Sequence, residues 1–107
     1  MLLPRLGYVL YQDWEQGFSY KKDGHYLVFV QTVEAFLAAG YHRCRVGLNH
    51  LAFAGGSPAD VDQLARDLKE WGVTLLYEDR FPYAGGANHY ACYCQDPDGI
   101  KIEVVGE

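Results

Sequence analysis

The stretch that most narrows what this chain can fold into is "SPADVDQLARDLKEWG", residues 57–72, because it carries helix start and stop signals at fixed places. Ser57 suits the N-cap and Pro58 the first helical position. Asp60 favours the positive end of the helix dipole, and Gly72 can take the left-handed conformation that ends the helix. Val61, Leu64, Ala65, Leu68 and Trp71 then fall on one apolar stripe, which needs a surface to bury it. The flanking segments supply that surface. "LNHLAFA" precedes the helix; "VTLLYE", "NHYACYCQ" and "IKIEVV" follow it, short runs rich in β-branched and aromatic residues, the last two joined by the turn "DPDG". The second half reads as a β-α-β-β-β module.

The first half looks like an incomplete copy. "GYVLYQDWE", "GFSYKKD" and "HYLVFVQT" read as three successive strands, and "DGHYLVFV" echoes "DGIKIEVV". "MLLPRLGY" runs into a strand as "LKEWGVTLLY" does later, so the chain is expected to start near the end of a first helix, without the strand and most of the helix before it. "VEAFLAAGYHRCRVG" then supplies a short helix or turn between the modules. The expected organisation is a single domain over residues 1–107: an incomplete first module at 1–32, a linker at 33–45 and a complete second module at 46–107.

Composition excludes several function classes. Half of the 107 residues are apolar, enough for one core, and the formal net charge of −5 offers no basic footprint for nucleic acid and no polybasic membrane patch. No apolar run approaches the ~20 residues of a membrane span, and "MLLPRLGYVLYQDW" lacks the charged start and long apolar stretch of a signal peptide. The expected compartment is cytoplasmic. Cys92 and Cys94 are too close in a strand to pair well, so these and Cys44 are expected to be reduced thiols.

"GLNHLAF", the helix, "YCQDPDGIKIE" and the repeated module together resemble the vicinal oxygen chelate superfamily, which includes glyoxalases, fosfomycin- and bleomycin-resistance proteins and extradiol dioxygenases. The likeness is good over residues 46–105 and weaker over 7–32. It implies an α+β fold in which paired βαβββ modules form a cupped mixed sheet with helices on the convex face, the first module being N-terminally truncated. It also implies a divalent metal on the concave face, held by a histidine on a first strand and a glutamate on a last strand. His50 and Glu103 match those two positions. The first-module histidine would lie before Met1, and Val28 stands where the repeat puts the first module's glutamate.

Strand alternation gives an independent reading. Leu51 and Phe53 beside His50, and Ile102 and Val104 beside Glu103, suit the helix stripe, which leaves the histidine and the carboxylate together on the opposite face. Imidazole and carboxylate suit Zn, Mn, Fe or Ni. Read without the resemblance, a lone strand histidine is more often a hydrogen-bonded core residue and a lone strand glutamate an exposed one. His89, Ala91 and Tyr93 share one face of "HYACYC". Tyr93 matches the pocket tyrosine that fosfomycin-type members carry three residues before the turn. The resemblance makes Tyr93 a donor to a ligand oxygen, and His89 is a candidate for proton transfer at neutral pH; cross-strand packing is the alternative for both. Cys92 and Cys94 face the helix, as small hydrophobes. His42, Arg43 and Arg45 form a basic cluster readable as a solvated loop or an anion-holding mouth, His25 has no evident partner, and the role of "FPYAGGANHY" stays open.

The function expected is binding of a small oxygenated ligand at a divalent metal, with the activity of a metal-dependent lyase, isomerase or dioxygenase of the glyoxalase type. The alternatives are a metal-free sequestration protein of the bleomycin-binding kind, or an incomplete gene product of such an enzyme. A sheet lacking its first strand presents an open edge, so a homodimer is expected.

Overall fold

The computed structural model of the protein describes residues 2–107, and the chain divides into two compact units that meet between Gly40 and Tyr41. In the first, a single helical turn, α1 (Leu2–Arg5), leads into β1 (Val9–Trp14), β2 (Gly17–Lys22) and β3 (His25–Val30), an antiparallel sheet in the order β1-β2-β3. The sequence Asp23-Gly24 turns the chain between β2 and β3, with Asp23 in the left-handed region at φ 54° and Lys22 paired with His25. His25 does have a partner: its Nε2 lies 2.7 Å from the buried Tyr8 hydroxyl. Ser19, fully buried, donates to Gln12 Oε1 at 3.2 Å. Many apolar side chains of this sheet nevertheless face solvent, Tyr26, Val28 and Val30 among them. A short 3₁₀ helix, Glu34–Ala39, follows β3.

The second unit contains β4 (His50–Ala54), α2 (Pro58–Glu70), β5 (Thr74–Leu76), β6 (Ala91–Gln95) and β7 (Lys101–Val105). Its four-stranded sheet runs β4-β7-β6-β5, with β4 parallel to β7 and the other pairs antiparallel, so the fold is α+β with a mixed sheet. The capping signals of α2 act as the sequence implies. Ser57 Oγ accepts from the Asp60 amide while the Asp60 carboxylate accepts from the Ser57 amide, a reciprocal box that satisfies two otherwise free donors. Gly72 ends the helix at φ 80°.

Val61, Leu64 and Leu68 are buried as α2 packs on β5, β6 and β7, whose inward side chains include Cys92, Cys94 and Val104. The expected stripe is narrower than the sequence suggests. Trp71 lies one residue beyond the helix and is 39% exposed, and Ala65 is only half buried. The strand expected over "VTLLYE" is cut to three residues because Tyr77 turns into the left-handed region at φ 57°, starting a 3₁₀ turn at Glu78–Arg80. No described helix is long and apolar enough to cross a membrane.

Packing of this stripe is the main attachment of α2. Leu68→Ala is expected to cost about 2–5 kcal/mol of stability in urea denaturation, the usual range for a buried leucine truncation, and Trp71→Ala much less. A larger loss at Trp71 would mean that the helix is held by its exposed end.

Candidate functional site

The site is built by the β6–β7 hairpin. Asp96 Oδ1 accepts from the amides of Asp98 and Ile100 at 2.9 and 2.8 Å, and Gly99 sits at φ 88°, where a side chain would be strained. This turn fixes the register Gln95↔Lys101, Tyr93↔Glu103 and Ala91↔Val105. Because alternate side chains share a face, Cys92, Cys94, Ile102 and Val104 go toward α2 while Tyr93, Lys101 and Glu103 go to the other side. The parallel register of β4 with β7, His50↔Lys101 and Ala52↔Glu103, sets His50 on that same side, one step along from the glutamate.

Glu103 is buried, yet its Oε1 accepts two side-chain hydrogen bonds: the Tyr93 hydroxyl at 2.5 Å and His89 Nε2 at 3.0 Å. Desolvation pushes its carboxyl up. The bonds from Tyr93 and His89, with the charges of His89 and His50, outweigh that effect and hold it below the ordinary carboxylate value. The complementary effect falls on Tyr93, whose phenol is pushed well above the ordinary value by burial, by its bond to Glu103 and by the Glu103 charge. The result is a carboxylate kept ionised beside a phenol kept protonated. His89 links this pair to water, its side chain 41% exposed against 11% for Glu103.

Three features had no assigned place in the sequence reading. The loop after β5 folds over Tyr93: a methyl group on Gly85 would overlap the Tyr93 hydroxyl and His89 Cδ2, so only glycine leaves room for both to reach Glu103. Tyr77 packs edge-on against Tyr93, ring centroids 5.4 Å apart. Lys101 brings its ammonium 5.6 Å from the Tyr77 ring and 5.9 Å from the Tyr93 ring, adding positive charge to the face. Lys101 was legible in principle, since it is two residues from Glu103 on the same strand. Gly85 carried no such signal.

His50 is exposed and its Nδ1 donates to Asn49 Oδ1 at 2.7 Å, which leaves Nε2 free to accept a proton or bind a metal. The family resemblance implies a divalent metal here, and the residues supply only part of one site. Open catalytic zinc sites use three protein ligands; among the described residues no three His, Cys, Asp or Glu side chains come together as a metal-holding group. Both side-chain donors to Glu103 fall on Oε1. The donor set of the described residues does not fit a complete metal centre. His42, Arg43 and Arg45 lie in the turns before β4, where His42 Nδ1 accepts from the Cys44 amide.

Residues 15–104 match the Glyoxalase/Bleomycin resistance protein/Dioxygenase superfamily. The chain is 56% identical over 103 residues to the uncharacterized protein YqjT of Bacillus subtilis (strain 168), covering 96% of itself and 80% of that protein. A crystal structure from Bacillus halodurans, titled a "putative glyoxalase", superposes with a TM-score of 0.97 at 55% identity, over 99% of this chain and 80% of the other. A lactoylglutathione lyase structure from Agrobacterium tumefaciens shares the fold, with a TM-score of 0.64 at 19% identity, over 95% of this chain and 77% of that one. With its β-α-β-β-β unit, its mixed sheet and its Glu103-bearing last strand, this chain belongs to the glyoxalase/bleomycin resistance/dioxygenase superfamily.

Proposed function

We propose that this protein binds a small oxygenated ligand on the Glu103 face of the four-stranded sheet and exchanges a proton with it. The observation that carries the reading is the convergence of Tyr93 and His89 on Glu103 Oε1. An ionised carboxylate held by two donors is a positioned base: its second oxygen can take a proton from an acidic C–H or O–H of the ligand and return it to the ligand, while Tyr93 and His89 keep their donors on Oε1. Tyr93 stays protonated throughout and acts as a fixed donor. Lys101 and His50 make the face favourable for ligand oxygens. Past His50, strand β4 offers the exposed methyl groups of Ala52 and Ala54 there, so the approach from its side is open.

The test is a two-dimensional NMR titration with an α-hydroxy ketone and an α-keto acid. Saturable shifts are expected at Ala52, Tyr93 and Glu103, and Glu103→Ala is expected to abolish them. Shifts confined to other surfaces, or unchanged in that variant, would overturn the assignment.

The charge state gives a second test. Glu103 is held below its ordinary value, so its contribution to stability is present above that value and disappears as pH falls through the depressed one. Tyr93→Phe and His89→Ala each remove a bond to the ionised form. Carbon NMR of the side-chain carboxyl is therefore expected to show Glu103 titrating at higher pH in both variants than in the parent. An unmoved titration would mean that neither bond forms in solution.

Superfamily members commonly use divalent metals, and His50 with Glu103 offers two of the three ligands such a site needs. Calorimetric titration with Zn, Mn, Fe or Ni is accordingly expected to give weak binding that is lost in His50→Ala. Tight binding indifferent to that substitution would put the ligands elsewhere.

Self-association belongs to the same reading. β3 is an edge strand of its sheet, and Tyr26, Val28 and Val30 along it are each at least 50% exposed. An edge strand whose exposed face is apolar tends to pair with a second chain. Sedimentation is expected to give a dimer at micromolar concentration, and Val28→Lys to shift it toward monomer; a parent that sediments as a monomer would end this part of the proposal.

A further inference from the structure

On the other side of β6 from Glu103, a cleft of about 430 Å³ separates α2 from the segment that follows β5. One wall is a single helix face: Asp62, Ala65, Arg66 and Lys69, spaced three and four residues apart. The methyl group of Ala65 at its centre explains why the cleft is open, since any larger apolar side chain there would occupy it. Leu75, Leu76, Phe81 and Cys92 give the cleft an apolar lining, and Tyr90 closes one end by donating its hydroxyl to Asp62 Oδ1. At about 430 Å³ the space falls within the range of small-molecule sites, roughly 300–1,000 Å³.

Charge decides which ligand suits it. Asp62 already accepts from Tyr90, and Glu78 is paired with Lys69 at 3.2 Å, so both carboxylates at the cleft are engaged. Arg66 is different. Its guanidinium donates to the neutral Gln63 Oε1 at 2.7 Å and meets no carboxylate among the described residues. A guanidinium has five donors in a planar fork that matches a carboxylate, so Arg66 retains unused donors at the edge of an apolar space.

We propose that this cleft is a second ligand site, for a small apolar carboxylate of the aryl or short-chain alkyl type. The body packs on Leu75, Phe81 and Cys92, and the carboxylate bonds to Arg66. An apolar amine is disfavoured, because the two acidic groups it would seek are occupied by Tyr90 and Lys69. The site is independent of the Glu103 cluster in its recognition chemistry, although Tyr93 borders both.

The test is a two-dimensional NMR titration with phenylacetate and hexanoate, with phenethylamine and benzyl alcohol as charge controls at matched ionic strength. Saturable shifts are expected at residues 62–69, 75–76 and 90–92, larger for the carboxylates than for either control. Arg66→Ala alters an exposed side chain and leaves the core alone; it is expected to weaken phenylacetate binding about tenfold or more, as loss of a charged hydrogen bond does. Ala65→Trp fills the space and is expected to abolish binding, while Glu103→Gln leaves it intact. No saturable shift at millimolar phenylacetate would overturn the proposal. So would binding unaffected by Arg66→Ala, or shifts that vanish in Glu103→Gln, which would assign the ligand to the other face.

Discussion

The functional face depends on one turn. Asp96 holds two amides of the chain that follows it, and so determines which residue of β6 meets which residue of β7. Side chains alternate with a period of two, so a slip of one residue would turn Glu103 under α2 and bring Ile102 or Val104 to the other side. The register is enforced from both faces. Val104, Cys92 and Cys94 are buried on the helix side, and Tyr93 meets Glu103 on the other. A slip would lose apolar burial and strand a carboxylate among apolar groups in the same step, so the hairpin has one good alignment.

Burying Glu103 is costly unless the charge is compensated, and the compensation comes from three parts of the chain. β6 supplies the Tyr93 hydroxyl. The loop supplies His89, and it reaches close enough only because Gly85 has no side chain to hold it off. Loop ends are pinned by backbone bonds, Ala91 to the Pro82 carbonyl and His89 to that of Gly86, so the glycine-containing segment is a fitted cover. Its composition suits a covering loop and a flexible connection equally well, because the reason for Gly85 is a contact with Tyr93, eight residues away.

What could be read from the sequence follows the range of the interactions. The caps of α2, its buried face, the DPDG turn and the shared side of His50 and Glu103 are local or period-two properties, and each is written in adjacent residues. The pairing of Tyr93 with Glu103 was also within reach, by counting outward from the turn. The early end of β5 was not, since Tyr77 enters the left-handed region without a glycine or asparagine to announce it. Ala65 and Trp71 were read as core because they fit the helical period; whether a periodic position is buried depends on what lies opposite. For Ala65 the neighbouring space is a cleft.

The repeated hairpins show why the two units differ in chemistry. In the second, Tyr93 faces Glu103 and the pair holds a proton between a phenol and a carboxylate; in the first, Val28 stands at the repeat-equivalent position and is paired with Ser19. Ser19 finds its partner in Gln12, and Val28 has nothing to titrate. The carboxylate cluster is therefore a feature of the second hairpin. Glu103 is a hydrogen-bonded carboxylate with both side-chain donors on Oε1. Each donor that lowers its affinity for a proton also competes with an ion for the lone pairs of Oε1, so the two bonds that make the charge tolerable inside the fold also make this oxygen a weaker base and a poorer ligand.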